Sequence, residues 1–559
     1  MSISPEQSNN PELVFGLVAP IGVDLELVTD VLTETLSEMH YDAESQTFRL
    51  TKLMREVPLP LALRPKPYVV SIRDRIAYAN ELRNQLGDVA LAALAVSAIR
   101  TFRKEKRAKL ASDATSTAGN ITLAETEIRE RDEEAPLPNQ AYIIRQFKRP
   151  EEIALLRSVY GRQFILVSAY LPAETRCRRI AELERLSRGG LCSEVEAHNL
   201  AHEIVAQDSM ETMDRHGQNV RDAFPLGDVF IDATSRATCE KTLRRFIHLF
   251  FGNNEITPTH DEYGMYMAKS ASLRSSDLSR QVGAAIFRST GEVITLGCNE
   301  VPKAGGGTYW SDGKSDGRDF VQGHDPNDRL KSELLVDLIH RLKKRSHLST
   351  ALGKIDDPYD IAKLLLDDKS VDSLAESRLM DLIEFGRIIH AEMSAICDAS
   401  RKGVAVEGAT LYCTTFPCHL CAKHIVASGI KRVVFLEPYP KSYASALHRD
   451  SIAVEDEDCS SRVSFTPFIG VSPFRYRDLF EKGKRKSGGS AQKWNKNVRR
   501  PMIEVYFPSY FRAETHVVGS LAEELKRIEE QAAQPAASIP AVPEVADIPP
   551  SSDAGPESA

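Results

Sequence analysis

The stretch HAEMSAICDASRKGVAVEGATLYCTTFPCHLC, residues 390–421, decides how this chain reads. It opens on His390-Ala391-Glu392 and closes on Pro417-Cys418-His419-Leu420-Cys421. A helix is expected from His390, a strand over Leu411 to Thr415, a second helix from Pro417 and a second strand over Arg432 to Leu436. Cys418 and Cys421, three apart in a first helical turn, bring both sulfurs to one metal, and a helix N-terminus favours their thiolates. His390 supplies a third ligand from the facing helix. Three protein ligands leave the fourth tetrahedral position to water, which separates a catalytic zinc from a closed structural one. Glu392, two residues on, is placed as a proton carrier rather than as a fourth ligand. A lone Cys-x-x-Cys would also suit a structural zinc or a redox pair. Its coincidence with His-Ala-Glu, the upstream proline and this element order favours the catalytic reading. Of the neighbours, Cys397 is expected in the core and Cys413 in a buried strand, His419 has no ligand role, and His424 is solvated.

Outward from this stretch, a second domain is expected from about His260. A helix Tyr263 to Leu278 leads to strands Val282 to Phe287 and Val293 to Gly297, joined at Thr290-Gly291. An insertion at about 305–385 holds an amphipathic helix with Leu330, Leu334, Leu335, Leu338, Ile339 and Leu342 on one side. A strand at Ile503 to Phe507 and a helix at Ser520 to Glu530 close a domain spanning 260–530. Residues 531–559 carry six prolines and no Lys or Arg, and read as a disordered tail. Toward the other end, polar residues 1–10 read as a disordered N-terminus. Residues 11–252 then read as a separate α/β domain, with strands at Leu13 to Val18, Ala141 to Ile144, Phe164 to Val167 and Val229 to Asp232. Asp24 is the expected N-cap of a helix with apolar positions Leu25, Val28, Val31, Leu32 and Leu36. A charged stretch, Arg100 through Glu134, is expected to be partly exposed, and Arg176 to Arg188 forms a basic helix. No internal repeat is evident.

Across 559 residues, 42% are hydrophobic and 27% charged, with a formal net charge of −8. That is ample for sizeable cores and argues against a surface that coats nucleic acid throughout. Nine cysteines over this length do not make a disulfide framework, and the polar start MSISPEQSNNPEL lacks the order of a signal peptide. The longest apolar run, Val89 to Ile99, is too short to span a bilayer. These features lead to the expectation of a cytoplasmic protein with no membrane partner.

The paired His-x-Glu and Pro-Cys-x-x-Cys motifs are those of zinc nucleobase deaminases. Residues from about 260 to 510, less the insertion, resemble the cytidine and deoxycytidylate deaminases. RSSDLSRQVGAAI (274–286) is similar to their opening helix and strand, and GCNEVP (297–302) to their Gly-x-Asn-x-x-Pro turn. The resemblance implies a catalytic Zn2+ held by His390, Cys418 and Cys421. Glu392 would pass a proton to the cytosine ring nitrogen while water attacks carbon 4 and ammonia leaves. It also implies that Asn299 meets the sugar of a free nucleotide, and that the amide of Ala391 and Thr414 or Thr415 contact the base. The whole architecture resembles bacterial anti-phage deoxycytidylate deaminases acting on dCTP or dCMP. The fold class expected is therefore α/β: an N-terminal P-loop kinase-like domain followed by a three-layer α/β/α cytidine-deaminase-like domain, assembled as a homo-oligomer.

The N-terminal domain departs from a working P-loop, which needs Gly-x-x-x-x-Gly-Lys-Ser/Thr. Gly16 to Gly22 is one residue too long, and Val23 and Asp24 stand where lysine and the hydroxyl belong. Gly16, Gly22 and Asp24 remain the candidate nucleotide contacts. The domain then binds a regulatory nucleotide, receives an RNA or protein effector, or scaffolds an oligomer. Arg176, Arg178 and Arg179 read either as a phosphate lid or as a solvated face. Asp312, Asp316, Asp319, His324, Asp325 and Asp328 read either as a holder of Mg2+ on a nucleotide triphosphate or as an exposed acidic loop. Lys482 to Arg500, with eight basic residues around Trp494, keeps an RNA or single-stranded DNA deaminase open as the alternative enzyme. A nucleotide-sensing protein whose N-terminal domain gates the deaminase is the other alternative.

Overall fold

A computed structural model describes residues 10–43, 46–115, 136–211, 214–367, 373–439, 442–456, 461–494, 500–503 and 510–533. The expected disordered N-terminus, most of the expected tail and nearly all of the expected strand at 503–507 lie outside these residues.

The chain builds two six-stranded sheets, each covered by helices on both faces. The first uses β1 (Leu13–Val18), β2 (Thr47–Arg49), β3 (Ala141–Phe147), β4 (Phe164–Tyr170) and β5 (Val229–Asp232). Their spatial order is β5-β4-β1-β3-β2, all parallel. β1 lies at the centre and is apolar at every position but Gly16, because a parallel strand is buried on both faces. Leu13, Phe15 and Leu17 join one core with Val28, Val31, Leu32 and Leu36 of the helix Leu25–Glu38. Val14 and Val18 join the core on the other face.

The second sheet has β6 (Gly283–Phe287), β7 (Val293–Cys298), β8 (Thr410–Thr415), β9 (Arg432–Glu437), β10 (Ile452–Val454) and β11 (Val463–Pro467) in the order β10-β11-β9-β8-β6-β7. Helices Ala391–Arg401 and His419–Ala427 contribute to the core on one face, and His260–Ser272 to the core on the other. The helix expected at Tyr263 starts three residues earlier, because Thr259 and Glu262 form a capping box, and it stops at Ser272 rather than Leu278. β7 lies directly on the helix that bears Glu392: a Cβ at Gly297 would stand 2.1 Å from the Ala391 carbonyl oxygen. Gly297→Ala is therefore expected to cost about 1–3 kcal/mol. Urea unfolding will read the loss.

The two units interlock. β12 (Gly470–Val471) leaves the second sheet and pairs antiparallel with β5 of the first. Phe230 of β5 packs with Met265, Tyr412, Val434 and Phe468 in a core shared by both units. Buried Glu262 accepts from Arg245 at 2.6 and 2.7 Å and from the Val471 N–H at 2.9 Å, tying three segments together.

The last helix, Tyr510–Ala533, begins ten residues before the expected one and returns to the first unit. Tyr510 and Leu521 sit in the first unit's core, although the sequence groups residues up to 530 with the second sheet. Its anchor is an ion cluster midway along the helix Ala90–Thr115, within the stretch expected to be partly exposed. Arg103, about 2% exposed, lies between Glu12 (2.9 Å) and Glu514 (2.8 Å), carboxylates from opposite ends of the chain. Among the described residues no single helix is long and apolar enough to cross a membrane.

Candidate metal centre

Two helix N-termini meet at one point on the second sheet. His390 is the residue that begins the helix Ala391–Arg401, and Cys418 the one that begins His419–Ala427, with Cys421 in the first turn. The Nδ1 of His390 lies 3.2 Å from the Cys418 sulfur and 3.5 Å from the Cys421 sulfur. Around a tetrahedral zinc with Zn–S of about 2.3 Å and Zn–N of about 2.05 Å, sulfur and nitrogen stand about 3.6 Å apart. The donor set fits the ion. A hydrogen bond from Cys421, helped by His390, pushes the Cys418 thiol down to about 4. His390 is drawn up to about 9, chiefly by its bond to Cys418.

Glu392 is buried, with its Oε2 3.5 Å from the Cys421 sulfur, and burial raises its carboxyl above the ordinary range. A carboxyl displaced in this direction holds a proton more readily than an exposed one, which suits it to proton transfer. His390, Glu392 and Cys418 line a cavity of about 220 Å³ together with Asn299, Ala391 and Thr415. Ala391 is the first residue of its helix, where backbone N–H groups have no intrahelical partner.

The remaining expected residues divide. Asn299 reaches the cavity, but its Oδ1 accepts from the Val282 N–H at 2.7 Å and its Nδ2 donates to the Arg280 carbonyl at 2.8 Å. Each amide atom keeps capacity for one further bond. Thr414 turns away from the cavity to accept from the Gly283 N–H at 3.1 Å, because adjacent strand residues face opposite sides. Cys413 is buried and His424 exposed, as expected, but Cys397 is exposed rather than in the core. Its helix buries Ala391, Ala395 and Ala399, and Cys397, two residues from Ala395, falls on the opposite side.

Sequence reading missed Arg280, Arg387, Asp277 and Tyr439, all of which line the cavity. Arg387, three residues before His390, was the legible signal. The acidic loop splits between its two readings. Asp319 is buried, lines the cavity and pairs with Arg387 at 2.9 Å, and Asp325 lines the cavity while capping the helix Pro326–Lys344. Asp312, His324 and Asp328 are exposed, and Asp316 pairs with Arg318.

In the first unit, the turn at residues 19–23, Gly22 among them, borders a cavity at the ends of β1 and β3, and its neighbours pack closely on it. Gly16 makes room for the rings of Phe164 and Phe147, which a Cβ would meet at 2.8 and 3.0 Å. Gly22 takes a positive φ of 93° and lets Arg176 approach, and Arg176 donates to the Ile21 carbonyl. Asp24 accepts from the N–H groups of Glu26 and Leu27 and pairs with Arg179 at 2.7 Å. Asp208 accepts from the Ile21 N–H and from Lys148. Carboxylates therefore occupy N–H groups at and just after this turn. Of the arginine trio only Arg178 is exposed.

Trp494 of the basic run is no free stacking platform: its indole donates to the Phe251 carbonyl and lies against His248. Residues 495–499 of that run lie outside the described residues.

Residues 258–437 match the family model of the cytidine and deoxycytidylate deaminase zinc-binding region. A deoxycytidylate deaminase of Enterobacteria phage T2 is 54% identical over 54 residues, covering 10% of this chain and 29% of that protein. A probable deoxycytidylate deaminase of Drosophila melanogaster is 26% identical over 199 residues, 35% of this chain and 70% of that one. The dCMP deaminase of cyanophage S-TIM5, solved with dCMP and dUMP, aligns with a TM-score of 0.21 at 16% identity. That alignment covers 38% of this chain and 98% of the phage enzyme. The chain matches under a third of the length of the phage T2 relative.

Proposed function

We propose that this chain, whose residues 258–437 are a cytidine and deoxycytidylate deaminase zinc-binding region, hydrolytically deaminates free deoxycytidine nucleotides, dCMP among them. The observation that carries the reading is the His390, Cys418 and Cys421 donor set beside buried Glu392, at a cavity with Arg280 and Arg387 in its wall. A zinc ion held by those three residues supplies the Lewis acidity that activates water. Glu392 would take a proton from the attacking water and give it to the ring nitrogen, then carry the proton of the new carbon 4 hydroxyl to the amino group, so that the C–N bond breaks and ammonia leaves. The Ala391 N–H and Thr415 orient the base, and Asn299 meets the sugar. The two arginines receive the phosphate, for which guanidinium geometry is well matched.

The finer reading is that dCTP is taken as well. Asp277, Asp319 and Asp325 around the same cavity would hold Mg2+ on a triphosphate, and draining dCTP would deprive an invading phage of a DNA precursor. A regulatory role for the first unit has its own support. A cavity of about 170 Å³ lies at the C-terminal ends of β1 and β3, lined by Tyr68, Arg75, Gln146 and Lys148. Gln146 there holds a positive φ of 79°, the kind of strained residue found at ligand clamps.

Purified protein will be incubated with dCMP, dCTP, CMP, CTP and a deoxycytidine oligonucleotide, with and without Mg2+, and ammonia release followed. Turnover of free deoxynucleotides, abolished by a zinc chelator and restored by zinc, is expected. Turnover of the oligonucleotide alone would reverse the reading in favour of a nucleic-acid deaminase.

A further inference from the structure

A second cluster of metal-ligating side chains lies on the surface of the first unit. The helices Ala173–Ser187 and Glu194–Ser209 pack side by side and bring together Glu174, His198 and His202. His198 and His202 are one helical turn apart and share a face. Their Nε2 atoms are 3.0 Å apart, with ring planes at 81°. The Glu174 Oε1 lies 3.8 Å from the His198 Nε2. Two nitrogens bound to one tetrahedral zinc at about 2.05 Å each stand about 3.3 Å apart, so the cluster needs only small side-chain adjustments.

The other nitrogen of His202 adds an independent observation. Its Nδ1 is 3.6 Å from the sulfur of buried Cys177, whose thiol is pushed up by burial. In the tautomer that donates Nδ1–H to that sulfur, the Nε2 lone pair faces His198 and Glu174. Metal-bound imidazoles are commonly oriented in this way by a partner on the second nitrogen.

We propose that Glu174, His198 and His202 form a second divalent-metal site of the zinc class, with one position left to solvent. Two imidazoles and one carboxylate suit zinc and its late transition-metal neighbours rather than Mg2+ or Ca2+. The site lies far along the chain from residues 390–421 and shares no residue with the centre there. Its consequence is mechanical. Arg176 of one helix donates to the Ile21 carbonyl, and Asp208 at the end of the other accepts from the Ile21 N–H. A metal linking the two helices fixes the hairpin that grips the turn at residues 19–23.

The test is metal content of the full-length protein after loading with zinc and passage over a chelating resin. The wild type should keep about two zinc ions per chain, against about one when His390, Cys418 and Cys421 are the only site. The double variant His198→Ala/His202→Ala should keep one, and Cys418→Ser/Cys421→Ser should keep the other. Glu174→Gln should release the second zinc to a competing chromophoric chelator more readily than the wild type does. Cobalt loading distinguishes the two centres: thiolate-to-cobalt charge transfer should survive in the double histidine variant and vanish in the double cysteine variant. One zinc in the wild type, or two in the folded double histidine variant, would overturn the proposal.

Discussion

Glu392→Gln is expected to lower kcat by about 10²–10⁴-fold while leaving zinc content and folding unchanged. The glutamine keeps the volume of a buried side chain and occupies the same place at the start of its helix. What it loses is the ability to carry a proton between water and the cytosine ring. Because Glu392 touches Cys421 without belonging to the donor set, the metal should stay. Cys421→Ser provides the contrast, since removing a sulfur donor should release zinc and abolish activity together. Kinetics with deoxycytidine nucleotides and metal analysis on the same preparations separate the two losses. A Glu392→Gln variant that turned over at the wild-type rate would remove the carboxylate from the proposed mechanism.

Arg103→Met is expected to destabilise the protein by about 3–5 kcal/mol, the usual cost of stripping one partner from a buried ion cluster. The guanidinium makes bonds of 2.8–2.9 Å to both Glu12 and Glu514. Tyr142 and Tyr510 donate to Glu12, and Tyr160 donates to Glu514. Without Arg103 two buried carboxylates face each other with only neutral donors. Adding Glu12→Gln and Glu514→Gln to the variant should recover part of the loss, because the charges left unpaired are then removed. Denaturant midpoints for the single and triple variants provide the measurement. An Arg103→Met protein as stable as wild type would show that this cluster does not hold the C-terminal helix in place.

Most of the metal centre was legible in the sequence because its parts are local. A helix N-terminus places Cys418 and Cys421 together through three residues of spacing, and His390 and Glu392 through two. β1, β5 and the Asp24 cap were equally legible, since a strand buried on both faces and an N-capping side chain are set by neighbouring residues. The walls of the cavity were not. Asp277 and Arg280 come from the loop before β6, and Asp319 and Arg387 from either side of the helix Pro326–Lys344; beyond the place of Arg387 next to His390, no local pattern says that these segments share a wall. Cys397 went astray because its position on a half-buried helix depends on which face meets the sheet. Trp494 did so because its partners, Phe251 and His248, lie more than 200 residues away.

By itself the sequence pointed to the donor set His390, Cys418 and Cys421 and to the glutamate beside it, Glu392. Tertiary structure alone decided how that chemistry is housed. It carried β12 into the first sheet and returned the last helix to the first unit. It also set Asp24 and Asp208 on the N–H groups of residues 21–27, and Glu174 beside His198 and His202. The physical reason is one of range. Helix caps and strand alternation are settled by contacts within a few residues. Buried charges and shared cores are settled by whichever distant segments can neutralise and cover them, and only the folded chain brings those together.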